Sequence, residues 1–378
     1  MTAESTSIFL PSKTDGFFTN AQGEKFHYTI FTPSLTAAPP SNADGNFPVL
    51  LCVHGAGMSG DCFFRMAHEL QRRGNASADD QAPQTLPSSA LGGRGLAQMP
   101  EPAALTTEAT SAASADNMDM YILTYDQRCH GQSTFAGGED HLEMEVLMED
   151  FLSFLRYAKQ TLFPHSNFFP MGHSLGGSVV ARALNGNRAA QERISGVFMI
   201  DIVEGTAQMS LAHMSEYLKR RPSCFPSVED AEAWFLHFGG MQSPQGAAVS
   251  VPPLLKQNPE TKLWHWRTDL RKMESVWGGW FTGLDEAFVS LPCAKMLCTA
   301  NAERLDKALT VAQMQGKFQF EVMGNGCGHY VMDDATAMLA AKVCRFVKRN
   351  EVLVQKLQQL NMRIPKQHNT TTSPPDRM

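Results

Sequence analysis

Residues 167–181 read N-F-F-P-M-G-H-S-L-G-G-S-V-V-A, and this stretch decides the fold. A short apolar run enters Gly172-His173-Ser174-Leu175-Gly176, and small and β-branched residues leave it in a pattern that suits a helix. A G-x-S-x-G sequence between a strand and a helix is typical of a sharp, strained turn in which the two glycines allow close packing. Such a turn raises the serine hydroxyl to the carboxyl edge of a sheet, where a base can reach it. The alternative is a glycine-rich turn with no chemistry, so the surrounding chain has to supply that sheet and that base.

Apolar runs on both sides of this turn predict the other strands. Near-continuous apolar runs are what strands buried on both faces of a parallel sheet require, and they occur at 48–53, 120–125, 196–200, 294–299 and 318–322. Alternation at 26–30 predicts an earlier strand, and helical spacing appears at 61–72, 143–162 and 335–360. Strands alternating with helices predict an α/β fold with a mostly parallel central sheet and helices on both faces.

The composition changes along the chain, and these changes predict its organisation. We expect an N-terminal segment with the early strand (1–46), a first part of the core (47–204), a cap or lid (205–291), a second part of the core (292–360) and a flexible tail (361–378). Residues 74–117 are rich in Ala, Ser, Pro, Gln, Gly and Thr, and predict a disordered insertion because they cannot bury enough apolar surface to offset the entropy of ordering. The cap segment contains all five tryptophans and interrupts the alternation of strands and helices.

Overall composition excludes several classes of protein. With 32 basic and 38 acidic residues and no basic block, the chain does not suggest nucleic-acid binding. It has no signal-peptide pattern and no apolar run of membrane-spanning length, which predicts a soluble cytoplasmic protein, with the nucleus as a second location. The eight cysteines form no C-x-x-C pair, a pattern that favours free thiols over a zinc site or a disulfide framework.

Three residues predict a nucleophilic site at the sheet edge. A serine hydroxyl needs an imidazole to accept its proton and a third group to orient that imidazole. His329 follows the last predicted strand on a glycine-rich turn, and Asp201 follows the strand at 196–200. Ser174, Asp201 and His329 occur in the chain order of α/β-hydrolases. Of the twelve histidines, His329 alone combines this position with flanking glycines.

The acid of this site has more than one candidate. The commoner place for it is after the penultimate strand, where Glu303 and Asp306 occur, whereas Asp201 follows the strand before that. A surface salt bridge is the alternative role for Glu303. We prefer Asp201 and keep Glu303 in reserve.

Two further segments predict the rest of the site. The loop His54-Gly55-Ala56-Gly57 follows a buried strand, and such loops supply an oxyanion donor in α/β-hydrolases. We therefore expect the N–H groups of Ala56, Gly57 and Leu175 to form the oxyanion hole. The D-x-R-x-H-G-x-S segment at 126–133 is expected to act structurally, through turn geometry, as are His54 and His173. The predicted reaction is acyl transfer from an ester through a covalent acyl-enzyme.

Several strings resemble one family, the protein phosphatase methylesterases. They are G-H-S-L-G-G at Gly172, I-D-I-V-E-G-T-A at Ile200, W-R-T-D-L at Trp266, V-W-G-G-W-F-T-G-L at Val276, R-L-D-K-A-L-T-V-A-Q-M-Q-G-K-F-Q at Arg304 and C-G-H at Cys327. The resemblance implies an α/β-hydrolase fold with a helical cap and a triad of Ser174, Asp201 and His329. It also implies hydrolysis of the methyl ester on the C-terminal leucine of the protein phosphatase 2A catalytic subunit, with release of methanol. No cofactor is implied, and the phosphatase body is implied as the partner that helps assemble the site.

Two alternatives stay open. The chain could be a small-molecule carboxylesterase of the same fold, which would hydrolyse short acyl esters without a protein partner. It could also be a binding protein that retains the fold and sequesters the phosphatase without chemistry.

Overall fold

The protein is described here from a computed structural model that covers residues 13–33, 47–75, 118–133, 135, 142–302, 305–324 and 326–363. The strands are β1 (Lys13–Thr19), β2 (Lys25–Phe31), β3 (Val49–Val53), β4 (Tyr121–Tyr125), β5 (Phe168–His173), β6 (Gly196–Ile200), β7 (Cys224–Phe225), β8 (Leu255–Gln257), β9 (Trp264–Trp266), β10 (Ala294–Thr299) and β11 (Gln319–Val322). The helices are α1 (Phe64–Asn75), α2 (Met144–Tyr157), α3 (Leu175–Leu184), α4 (Arg188–Gln191), α5 (Glu204–Arg220), α6 (Val228–Trp234), α7 (Pro244–Ser250), α8 (Trp277–Trp280), α9 (Leu284–Ser290), α10 (Lys307–Met314), α11 (Val331–Asp334) and α12 (Thr336–Arg363).

Eight strands form the central sheet in the order β1-β2-β4-β3-β5-β6-β10-β11. From β4 to β11 all neighbours are parallel, and the β1–β2 and β2–β4 pairs are antiparallel. Every residue of β3, β5 and β6 is buried, because helices cover both faces of the sheet. The predicted mostly parallel sheet is confirmed. Its carboxyl edge brings together the ends of β3, β5, β6 and β10.

The apolar runs located the parallel strands to within two residues, but they did not predict β1. This edge strand is largely exposed and contains only two large apolar residues, Phe17 and Phe18, so it has neither a buried run nor a clear alternation. It pairs with β2, which is buried along most of its length.

The helices extend beyond the predicted limits at several ends. α1 continues to Asn75, and α12 continues to Arg363, so the first residues assigned to the insertion and to the flexible tail are helical. The rest of the predicted insertion (76–117) and of the tail (364–378) lies outside the described residues. A π-helical turn, Ala158–Leu162, completes the helix predicted at 143–162.

The segment predicted as the cap is helical along most of its length and also contains a small antiparallel sheet, in the order β7-β9-β8. These strands are two or three residues long, too short for a periodic pattern to reveal them. Its last part packs into the core. Trp280 is 2% exposed, donates its indole N–H to the Leu142 carbonyl, and accepts the Ser178 hydroxyl of α3 through its own carbonyl.

Candidate active site

Ser174 occupies a strained turn between β5 and α3. Its φ of 51° and ψ of −122° lie where residues with a Cβ rarely occur. A methyl group on Gly172 would lie 2.2 Å from the Gly176 carbonyl oxygen, and one on Gly176 would lie 2.2 Å from the Val53 carbonyl oxygen. Both glycines are therefore required by close backbone contacts. The Ser174 N–H donates to the Ile200 carbonyl at 3.0 Å, which ties the turn to β6.

Asp201 and His329 are hydrogen-bonded to each other. Asp201 follows β6, is fully buried, and has a positive φ of 47°. Its Oδ2 lies 2.8 Å from Nδ1 of His329, and its Oδ1 accepts the Ala300 N–H at 2.9 Å. Because a carboxylate can only accept, Nδ1 carries the hydrogen, and Nε2 of His329 is left as the proton acceptor. The imidazole side chain is 38% exposed and can be reached by a ligand.

His173 links the serine turn to the His329 backbone. Its Nε2 donates to the His329 carbonyl at 2.8 Å, and the two ring centroids are 4.7 Å apart. Burial, followed by the charge of His329, lowers the pKa of His173 to about 3, so this ring is neutral at physiological pH. The structure thus brings Ser174, Asp201 and His329 to one edge of the sheet. Among the hydrogen bonds of the described residues there is none from the Ser174 hydroxyl to His329, and such bonds are often loose in free enzymes.

The loop after β3 lies against the serine turn. A methyl group on Gly55 would come 3.0 Å from Cβ of Ser174. Leu175 is the first residue of α3, so its N–H has no acceptor within the helix. The Gly57 N–H, however, donates to Nε2 of His130 at 2.9 Å. The structure therefore contradicts Gly57 as an oxyanion donor, because its hydrogen already has a buried acceptor. The N–H groups of Ala56 and Leu175 stay the predicted donors.

The D-x-R-x-H-G-x-S segment holds this loop in place. Nδ1 of His130 donates to the Arg128 carbonyl at 2.7 Å, which leaves Nε2 free to accept from Gly57. Burial lowers the pKa of His130 to about 3 and keeps the ring neutral. His54, at the start of the loop, accepts the Gln127 N–H at 2.9 Å. The expected structural role of the segment thus has a specific form that its sequence did not reveal: two histidines fix the loop beside Ser174.

The alternative acids have other positions. Asp306 caps the N-terminus of α10 by accepting the Leu309 N–H at 3.0 Å, and it hydrogen-bonds to Asp285. Glu303 lies outside the described residues. Within the described part of the chain, Asp201 is the carboxylate that contacts the His329 ring.

Comparison with known proteins adds a family to this geometry. A model of the Alpha/beta hydrolase family matches residues 50–342. Protein phosphatase methylesterase 1 of Schizosaccharomyces pombe is 37% identical over 236 residues, which cover 62% of this chain and 67% of that protein. The Homo sapiens protein of the same name is 32% identical over 288 residues, which cover 65% of this chain and 73% of that protein. The chain belongs to the protein phosphatase methylesterase family.

Solved structures agree with the hydrolase fold of this methylesterase-family chain. E-2-(Acetamidomethylene)succinate hydrolase has a TM-score of 0.60 at 12% identity, covering 89% of this chain and all of that one. An esterase of M. tuberculosis has a TM-score of 0.57 at 14% identity, covering 90% and 92%. At such identities the likeness shows the fold alone. In the described part of this methylesterase-family chain, no helix is both long and apolar enough to cross a membrane.

Proposed function

We propose that this chain is a serine esterase that removes the methyl ester from the C-terminal leucine of the protein phosphatase 2A catalytic subunit. The observation that carries the proposal is the hydrogen bond from His329 to the buried carboxylate of Asp201, which lies beside a strained Ser174 in a chain of the methylesterase family. The cap and the segment that follows Arg304 resemble those of the protein phosphatase methylesterases, and this resemblance supports the C-terminal methyl ester as the substrate.

The proposed reaction proceeds through an acyl-enzyme. The Ser174 Oγ attacks the ester carbonyl while Nε2 of His329 takes its proton, and the N–H groups of Leu175 and Ala56 stabilise the oxyanion. When the intermediate collapses, the C–O bond to the methoxy group breaks and the imidazolium gives its proton to that oxygen, which releases methanol. A water molecule, deprotonated by His329, then attacks the acyl-enzyme, and Ser174 recovers its proton as the free leucine carboxylate leaves. Each step uses groups of this chain and water, so the proposed reaction requires no cofactor.

Asp201 supports this cycle without exchanging a proton. Its carboxylate holds Nδ1–H of His329 and stabilises the positive charge that forms on the ring. Because Asp201 is fully buried and also bonded to the Ala300 N–H, its orientation is set before substrate binds.

A protein partner suits the surface of the cap. Met209 and Phe238 are 65% and 72% exposed on cap segments, and we propose that they contact the phosphatase body. The proposed substrate would also locate the enzyme in the cytoplasm, with the nucleus as a second location.

Mass spectrometry of the phosphatase C-terminal peptide tests the proposal. Carboxymethylated phosphatase 2A core enzyme is incubated with wild type or with Ser174→Ala. We expect loss of the methyl group with wild type only. Retention in both samples, together with turnover of short acyl esters, would favour a small-molecule esterase. Retention with stoichiometric capture of the phosphatase by both proteins would favour a binding protein.

A further inference from the structure

The cap and the loop that carries His329 meet at the carboxylate of Asp334, the last residue of α11. Oδ2 of Asp334 accepts the backbone N–H of Gly328 at 2.9 Å. Oδ1 accepts the N–H groups of Gln242 and Ser243, in the cap, at 2.8 and 2.9 Å. Three backbone donors from two separate loops therefore converge on one side chain.

Direct contact between the two loops reinforces this junction. A methyl group on Gly328 would lie 2.3 Å from the Gly240 carbonyl oxygen and 3.0 Å from Oδ2 of Asp334. The cap backbone at Gly240 thus touches the residue that immediately precedes the imidazole. The His329 carbonyl, in the same loop, accepts a hydrogen bond from Nε2 of His173.

We propose that Asp334 is a positioning residue that couples the placement of the cap to the placement of the His329 imidazole. The inference rests on the proposed function, because it takes His329 as the general base. Asp201 fixes the Nδ1 side of the ring, but the direction of Nε2 also depends on the backbone from Gly328 to His329. A displacement of about 1 Å at a reacting group can cost about 10²-fold in rate.

The chemistry of the junction requires a carboxylate. Two acceptor oxygens are needed, one for the cap turn and one for Gly328, and a carboxylate provides both. Asparagine has one oxygen and one NH₂ group, so in Asp334→Asn a donor would face a donor at one of the two loops. The variant keeps the size of the side chain and removes this match.

The neighbouring residue provides a matched control. Asp333 also connects α11 to the cap, since its Oδ2 accepts the Ser250 hydroxyl of α7 at 2.9 Å. Its hydrogen bond reaches the cap helix and not the loop of His329. Asp333→Asn therefore perturbs an adjacent buried carboxyl, 1% exposed, without changing the acceptors of Gly328.

The test compares wild type, Asp334→Asn and Asp333→Asn in the full chain. The readouts are the rate of fluorophosphonate labelling at Ser174, kcat and KM for p-nitrophenyl acetate, and Tm. We expect Asp334→Asn to lower labelling and kcat together by about 10–100-fold, with KM close to wild type and a modest loss of Tm, because one backbone donor loses its acceptor. Asp333→Asn should label at the wild-type rate. Gly328→Ala should slow labelling as Asp334→Asn does, but with a lower Tm, because its methyl group would meet the Gly240 carbonyl oxygen at 2.3 Å. The double variant should lose less than the product of the two, because both act on one contact.

Several results would overturn the coupling role. They are a folded Asp334→Asn that labels like wild type, an equal loss in Asp333→Asn, and independent effects in the double variant. Failure of the proposed function is distinguishable: a wild type that labels but leaves the phosphatase methylated would refute the substrate, and the Asp334 comparison would still decide the positioning role. A wild type that neither reacts with the fluorophosphonate, nor hydrolyses p-nitrophenyl acetate, nor demethylates the phosphatase would refute both proposals.

Discussion

Replacing Asp201 with asparagine should move the hydrogen of the neutral His329 ring from Nδ1 to Nε2. The buried Ala300 N–H lies 2.9 Å from Oδ1, so the amide oxygen of the variant must occupy that position. The NH₂ group then takes the place of Oδ2, which lies 2.8 Å from Nδ1 of His329. Two donors cannot share that contact, so the imidazole adopts the tautomer with hydrogen on Nε2. That nitrogen can no longer accept the Ser174 proton.

The size of the effect follows from losing the general base while keeping the rest of the site. The same exchange in a Ser-His-Asp protease lowers kcat by about 10⁴-fold, and at 1.36 kcal/mol per tenfold this is about 5 kcal/mol of barrier. Substrate binding should change little, because Asp201 is fully buried and has no exposed surface for a substrate to contact. Thermal stability should also stay close to wild type, since the side chain keeps its volume and its bond to Ala300.

The assay is the demethylation rate at saturating phosphatase, with fluorophosphonate labelling as a second measure of serine reactivity. Glu303→Gln is the matched control, and it should retain wild-type activity. The reasoning would be refuted if Asp201→Asn kept activity within tenfold of wild type while Glu303→Gln lost about a thousandfold. The acid would then be Glu303.

Three other predictions follow from buried contacts. Gly176→Ala should destabilise the fold by about 3 kcal/mol, the upper end for overpacking, because its methyl group would meet the Val53 carbonyl at 2.2 Å; an unchanged Tm would contradict this. His130→Phe keeps a ring but leaves the Gly57 N–H buried without an acceptor, so it should cost about 1–3 kcal/mol in chemical denaturation and slow phosphonate labelling; a variant equal to wild type in both would argue against the role of His130. Burial, with a neighbouring carboxyl, raises the pKa of Asp285 to about 8. Because the folded state then holds this proton more tightly than the unfolded state, its contribution to stability is full below pH 4 and falls as pH rises toward 8. The Tm of Asp285→Asn minus the Tm of wild type should therefore increase from pH 5 to pH 8. A constant difference across that range would contradict the raised pKa of Asp285.

Local patterns in the sequence determined much of the fold and of the site. The buried parallel strands were predictable because a strand covered on both faces has to be apolar throughout, as β3 and β6 are. Ser174 was predictable because the turn demands glycines at fixed spacing, and His329 because a glycine-rich turn follows the last strand. Asp201 was chosen partly through the family resemblance, since the ends of two strands offer equivalent places for an acid.

The tertiary structure alone decided which groups meet. Nothing near Gly57 in the sequence indicates that its N–H donates to His130. Nothing near His329 indicates that Gly328 and the cap both donate to the Asp334 carboxylate. These contacts join backbone donors to side chains from other loops, and such pairs leave no periodic pattern in either segment. The exposed strand β1 escaped prediction for the related reason that its place depends on pairing with β2 rather than on burial. The sequence therefore determined which residues carry reactive side chains, and the packing of distant loops decided which of them can act together.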